Sequence, residues 1–202
     1  MRSTEAQDIL NIENLDTFVN ISEILRENKL IELTETKANI FMMCTQTDPG
    51  SIVRLDSPCL TIYCTHIIFK NNISTEEYLF RSGSCNTVFQ AELAATDFAA
   101  GWALRNNAKI NIFIDNQSSI YAIKSAKSRS ESVNNTKRNT FNARQLISLT
   151  WEKTHVGNPG IEQADRQAKL ATETGIQLNY PAPYSYVKIK NNQYIMGQWE
   201  EF

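Results

Sequence analysis

No run of about eighteen apolar residues occurs anywhere in the chain, which predicts no membrane-spanning helix. The amino terminus, Met1-Arg-Ser-Thr-Glu-Ala-Gln-Asp8, lacks an apolar core segment and carries early acids, so it is not a secretory signal. Cysteine is sparse. Cys44, Cys59, Cys64 and Cys85 contain no Cys-x-x-Cys pair and no paired zinc spacing, and the expectation is reduced, buried thiols in an intracellular protein, nuclear or cytoplasmic. An excess of positive charge is also missing. A net charge of −2 argues against holding nucleic acid by bulk electrostatics, while leaving a local basic patch open.

The 202 residues, 42% hydrophobic and 21% charged, describe an ordinary globular chain with room for one domain and some extension. Residues 1–35 are polar and acidic, with a helical pattern from Leu15 to Leu25, and read as an N-terminal extension. Residues 38–47, Leu60–Phe69 and Glu76–Arg81 read as strands, separated by Asp48-Pro-Gly-Ser and Lys70-Asn-Asn turns. Strands this close together pair as antiparallel hairpins.

The period then changes. From Thr87 to Arg105 the apolar residues Phe89, Leu93, Ala100 and Leu104 fall on one helical stripe, and Thr87 with Gln90 forms a capping box. A strand over 110–114, a helix over 117–126, a helical turn near 141–146, a strand over 146–151 and a helix over 161–174 stopped by Gly175 complete the pattern. Strands followed by alternating helices and strands predict a mixed sheet flanked by helices, with ligands gathering where parallel strands end.

Three acids occupy settings that suit a hard divalent cation. Glu92 lies at the margin of a buried helical stripe, where a lone carboxylate is costly. Asp115 ends the strand Ile110-Asn-Ile-Phe-Ile114, where it is also placed to cap the next helix. Asp165 sits in a helix behind the loop His155-Val-Gly-Asn-Pro-Gly160; its spacing to Lys169 would equally suit a solvated face. His155 in that loop otherwise reads as an exposed turn residue. His66, Phe98 and Trp102 read as core. Lys124, Lys127, Arg129, Lys137 and Arg138 form a basic run in a polar stretch, either a solvated loop or a phosphate contact.

Phe89-Gln-Ala-Glu-Leu93, Ile114-Asp-Asn-Gln-Ser-Ser119 and His155-Val-Gly-Asn-Pro-Gly-Ile-Glu-Gln-Ala-Asp-Arg-Gln-Ala-Lys169 together resemble the ribonuclease H type-1 domain. The version in non-LTR retrotransposon polyproteins, downstream of a reverse transcriptase, is the most similar. The resemblance covers Thr87 to Gly175 and is thin before residue 60. It implies an α/β fold with a mixed five-stranded sheet, a ribonuclease H-like domain over 36–176 and a C-terminal tail over 177–202. It further implies two Mg²⁺ ions, with Mn²⁺ as a substitute, and cutting of the RNA strand of an RNA–DNA hybrid, with no membrane partner and a reverse transcriptase domain as an expected neighbour. By the same resemblance Glu92, Asp115 and Asp165 are metal ligands, and His155 is the loop histidine that assists proton transfer or product release.

The family's first carboxylate stands in a Thr-Asp-Gly-Ser context at the end of the first strand. This chain departs from that pattern. Thr47-Asp48-Pro49-Gly50-Ser51 is the nearest match and makes Asp48 the expected catalytic metal ligand, despite the inserted proline. A gapless alignment puts Met43 at the position instead, and Asp56 is a third option. Without that carboxylate the chain would be a catalytically degenerate nucleic-acid-binding module.

Overall fold

The computed structural model describes residues 12, 14–20, 38–47, 61–70, 73–83, 85–125, 127–152 and 159–200. Its frame is a mixed six-stranded sheet, β1 (Ala38–Thr47), β2 (Thr61–Lys70), β3 (Ile73–Ser82), β4 (Ile110–Ile114), β5 (Ile147–Trp151) and β6 (Ile176–Leu178), in the order β5-β4-β1-β2-β3-β6. The three long strands pair antiparallel, as their short connections require. Next, β4 joins β1 in parallel and β5 joins β4 in parallel.

The sheet has one strand more than the five expected. Ile176–Leu178 runs parallel to β3 over Phe80–Ser82, which carries the sheet past the boundary expected at residue 176. Three residues are too few for an alternation to be read from sequence.

Five helices accompany the sheet among the described residues: α1 (Val88–Asn106), α2 (Gln117–Lys124), α3 (Glu131–Asn142), α4 (Pro159–Thr174) and α5 (Tyr184–Glu200). The predicted capping box closes α1, with Thr87 Oγ1 accepting from Gln90 N at 3.3 Å and Gln90 Oε1 accepting from Thr87 N at 3.2 Å. Ala91, Ala95, Ala99 and Trp102 of α1 pack over Ile40, Met42, Ile62 and Ile112 on one sheet face. On the other face, Ala164 and Ala168 of α4 pack on Phe41 and Ile67. Gly160 in the first turn of α4 sits so close to β1 that an added Cβ would lie 2.5 Å from the Phe41 ring, so only glycine admits this approach. His66, Phe98 and Trp102 belong to the core side, His66 Nε2 meeting the Ala95 carbonyl at 2.9 Å.

Three stretches depart from expectation. The basic run is only partly a loop: Lys127 and Arg129 lie outside any helix, whereas Lys137 and Arg138 fall in the helix Glu131–Asn142, capped by the Ser130 side chain on Val133 N. Within it Lys137 is buried and donates to the Ser125 carbonyl at 2.7 Å, which removes it from any phosphate-facing patch. The helical pattern expected over Leu15–Leu25 is overridden across 15–20, and its remainder lies outside the described residues. Leu15 bridges Ala182 and Phe18 bridges Ser130, so this stretch is an extended strap. Along it Asp16 accepts from Ser130 Oγ at 2.5 Å, from Ser132 N at 3.0 Å and from Ser132 Oγ at 2.9 Å. The expected tail holds β6 and α5, and Ala182 and Val187 share an apolar cluster with Ile12 and Leu15. Finally, Cys64 is disulfide-bonded where reduced thiols were expected, and Cys85 keeps its thiol. No helix among the described residues is long and apolar enough to cross a membrane.

Candidate active site

The parallel strand β4 delivers Asp115 just beyond its last residue, at the sheet end where α/β ligand sites collect. Asn116 then caps α2, its Oδ1 accepting from Ser118 N at 2.9 Å and from Ser118 Oγ at 2.7 Å. The strand-to-helix turn therefore has a fixed shape. Asp115 is not the capping acceptor, since Asn116 takes that role and leaves the carboxylate available.

Glu92 arrives from the second turn of α1 and is 2% exposed. Its Oε2 accepts from Ser119 Oγ of α2 at 2.5 Å, and its carboxyl also meets the side chains of Asp115 and Asn116. Leu93, Ile123 and Val133 form the apolar cluster that clamps α1, α2 and α3 together around this contact.

Two carboxyls in one buried place are electrostatically expensive. Burial, reinforced by the neighbouring Asp115, raises the Glu92 pKa to about 8, against the opposing pull of the Ser119 hydroxyl. Burial likewise raises the pKa of Asp115 above the ordinary carboxylate range, while its own backbone and the Glu92 contact work the other way. Asp115 Oδ1 is buried with no hydrogen-bond partner in the structure. An orphaned carboxylate oxygen facing a second carboxyl is a donor set that fits a hard divalent cation.

Of the other expected ligands, Asp165 alone lies among the described residues. Asp165 lies in the second turn of α4 and is half-buried, and α4 packs over the Phe41 face of the sheet, opposite the face covered by α1. Among the described residues no three His, Cys, Asp or Glu side chains are grouped to hold a metal ion. Asp48, Asp56 and His155 lie outside the described residues.

The backbone bears directly on the first carboxylate. Phe41 pairs with Phe113 across β1 and β4, so the parallel register carried two residues further sets Met43 level with Asp115. β1 continues to Thr47, whose partner on β2 is Thr61. At about 3.3 Å per strand residue, the end of β1 lies roughly 13 Å beyond the level of Asp115.

Two further residues hold the site together. Ser119 is buried and holds Glu92. Trp151, the last residue of β5, donates its indole Nε1–H to the Asp115 carbonyl at 2.9 Å, while Glu152 N bonds the Ile114 carbonyl at 3.0 Å. Ser119 closes the Ile114–Ser119 motif and lies on the inner stripe of α2, three residues after the cap.

No protein-family profile matches the chain, and no curated protein matches it. Solved structures do. The crystal structure of prototype foamy virus protease-reverse transcriptase superposes with a TM-score of 0.56 at 12% identity over 73% of this chain, which spans 22% of that one. The foamy viral protease-reverse transcriptase in complex with dsDNA gives a TM-score of 0.56 at 14% identity, over 72% of this chain and 99% of that one. The solution structure of the PFV RNase H domain also gives 0.56, at 12% identity, over 70% of this chain and 98% of that one. At such identities the likeness speaks for architecture alone. The chain has a ribonuclease H-like α/β fold, a mixed sheet with helices on both faces.

Proposed function

We propose that this domain is a divalent-metal-dependent nuclease acting on the RNA strand of an RNA–DNA hybrid, derived from a retrotransposon and working beside a reverse transcriptase. The observation that carries the reading is the buried Glu92–Asp115 pair with its unpartnered Asp115 Oδ1. Glu92 and Asp115 would hold Mg²⁺ or Mn²⁺, and Asp165 and His155 enter through the family resemblance alone. Bound there, a pair of such ions supplies an activated water and stabilises the leaving 3′-oxygen. The chain's own residues set the stage: Ser119 fixes the Glu92 carboxyl, Asn116 shapes the turn, and α2 offers the exposed Gln117 beside it. Recognition would use hybrid shape and 2′-hydroxyls rather than base sequence. The foamy virus relatives, one of them in complex with dsDNA and two of them protease-reverse transcriptases, support a nucleic-acid partner of this kind.

A second reading is favoured by one specific observation. With Met43 level with Asp115, a thioether occupies the sequence position where the family has its first acid, and a thioether is a poor partner for a hard cation. On this reading the domain binds nucleic acid without cutting it.

Cleavage of an end-labelled hybrid in Mg²⁺ decides between them. A nuclease cuts, and Asp115→Asn lowers the rate by more than the roughly 10–100-fold typical of an outer-sphere partner. Loss of cleavage in Asp48→Asn or Asp56→Asn identifies the first carboxylate. A wild-type chain that binds hybrid but does not cut it, with activity appearing in Met43→Asp, establishes the binding module. A wild type that neither binds nor cuts hybrid refutes both.

A further inference from the structure

We infer that Trp151 is a nucleic-acid contact residue, an indole locked to the backbone of Asp115 at one edge and open to a passing sugar-phosphate strand; this rests on the nucleic-acid reading of the site. Two independent observations meet at this residue. The first is the anchor. Trp151 ends β5 opposite Ile114, and its Nε1–H reaches one residue past the end of β4 to the Asp115 carbonyl. With the Glu152 N to Ile114 carbonyl bond, the β4–β5 ladder is extended to the point where the carboxylate emerges. The ring is therefore held by its polar edge.

The second observation is exposure. Trp151 is 47% exposed, although Trp102 of the same chain is 3% exposed. Large aromatic surface left in water is costly, and an amphipathic ring with its N–H already satisfied presents an apolar remainder beside Asp115. A strand whose phosphate approaches Asp115 has its sugar within reach of that remainder. Flat aromatic surface is what non-sequence-specific nucleic-acid sites use, since every nucleotide offers an apolar sugar or base face. A ring fixed in advance also loses little side-chain entropy on binding.

The division of labour within one side chain makes the inference testable. In Trp151→Phe the apolar ring stays and the N–H anchor is lost. In Trp151→Ala both go. Binding is measured by fluorescence anisotropy of a labelled RNA–DNA hybrid, with Ca²⁺ replacing Mg²⁺, on wild type and both variants after thermal melts establish folding. Trp151→Ala is expected to raise Kd about tenfold, and Trp151→Phe by less than about twofold, since the stacking surface remains. Titrating hybrid into wild type should also change tryptophan emission, and the change should vanish in Trp151→Phe. This second readout does not depend on Trp151→Ala folding. Equal Kd for wild type and a folded Trp151→Ala, equal loss in both variants, or an emission change that persists in Trp151→Phe would each overturn the inference. If the wild type binds no nucleic acid at all, the proposed function fails first, and that result is distinct from these.

Discussion

Glu92 and Lys137 are both ionisable residues buried inside the molecule, 2% and 0% exposed, on helices that pack on each other. Their surroundings differ in kind. Lys137 sends its ammonium to the Ser125 carbonyl, so its burial is compensated by an acceptor, and burial lowers its pKa without leaving it opposed by a like charge. Glu92 meets a second acid, and that acid keeps a buried oxygen without a partner. A satisfied buried charge is structure. Two carboxyls in contact, one of them with an unpartnered buried oxygen, are the kind of perturbed pair from which the proposed metal site is argued.

The most direct way to break this contrast is to neutralise Glu92. Its folded pKa of about 8 stands above the value of 4.5 expected for an unperturbed carboxyl. The stability linked to the protonated form is therefore complete below about pH 4.5 and lost as pH rises through about 8. In the metal-free protein, Glu92→Gln should remove that loss, raising stability at pH 8 by on the order of 3 kcal/mol. Thermal melts against pH measure it, and added Mg²⁺ should stabilise wild type more than the variant. A variant less stable than wild type at pH 8 without metal would mean that the pair is not strained.

Lys137→Met tests the other half. The methionine keeps most of the buried volume but leaves the Ser125 carbonyl unpaired, and a loss of about 1–2 kcal/mol is expected, read by urea unfolding. Hybrid binding should be unchanged, because this basic residue points into the structure rather than toward phosphate. Weaker binding with unchanged stability would restore the phosphate-contact expectation.

The smallest effect sharpens the contrast from the acid side. Asp16 is also a carboxylate at the edge of α3, but it accepts from Ser130 and Ser132. Removing an acid held only by donors should destabilise, where neutralising one buried against a second acid stabilises. Asp16→Ala is expected to cost about 1 kcal/mol, and a lower melting temperature checks it. A rise would contradict the distinction.

Why some of this was readable and some not follows from the residues themselves. α1 announces itself because its buried stripe is apolar and its cap has the required threonine and glutamine. α3 does not, because the residues it buries are Ser132, Val133, Asn134, Thr136, Lys137 and Thr140. Their spacing is helical, but they are almost all polar, so hydrophobic periodicity carries no signal there. The segment around Leu15 shows the reverse error: its apolar spacing suits a helix, yet hydrogen bonds to Ala182 and Arg129 hold it extended. A local pattern lost to long-range backbone pairing that no neighbouring residue encodes.

Local pattern in the chain was enough for the mixed α/β architecture and the antiparallel hairpins, because periodicity, caps and strand ends are local properties, whereas the meeting of Glu92 with Asp115 was expected only through the family resemblance. Tertiary structure alone decided the rest. The β1–β4 register sets Met43 level with Asp115, α4 carries Asp165 on the face away from α1, and Trp151 is tied to the Asp115 carbonyl. Each of these depends on the lateral alignment of segments far apart in the chain. That alignment is fixed by packing and ladder hydrogen bonds among distant residues, which leave no trace in the order of amino acids along any one segment.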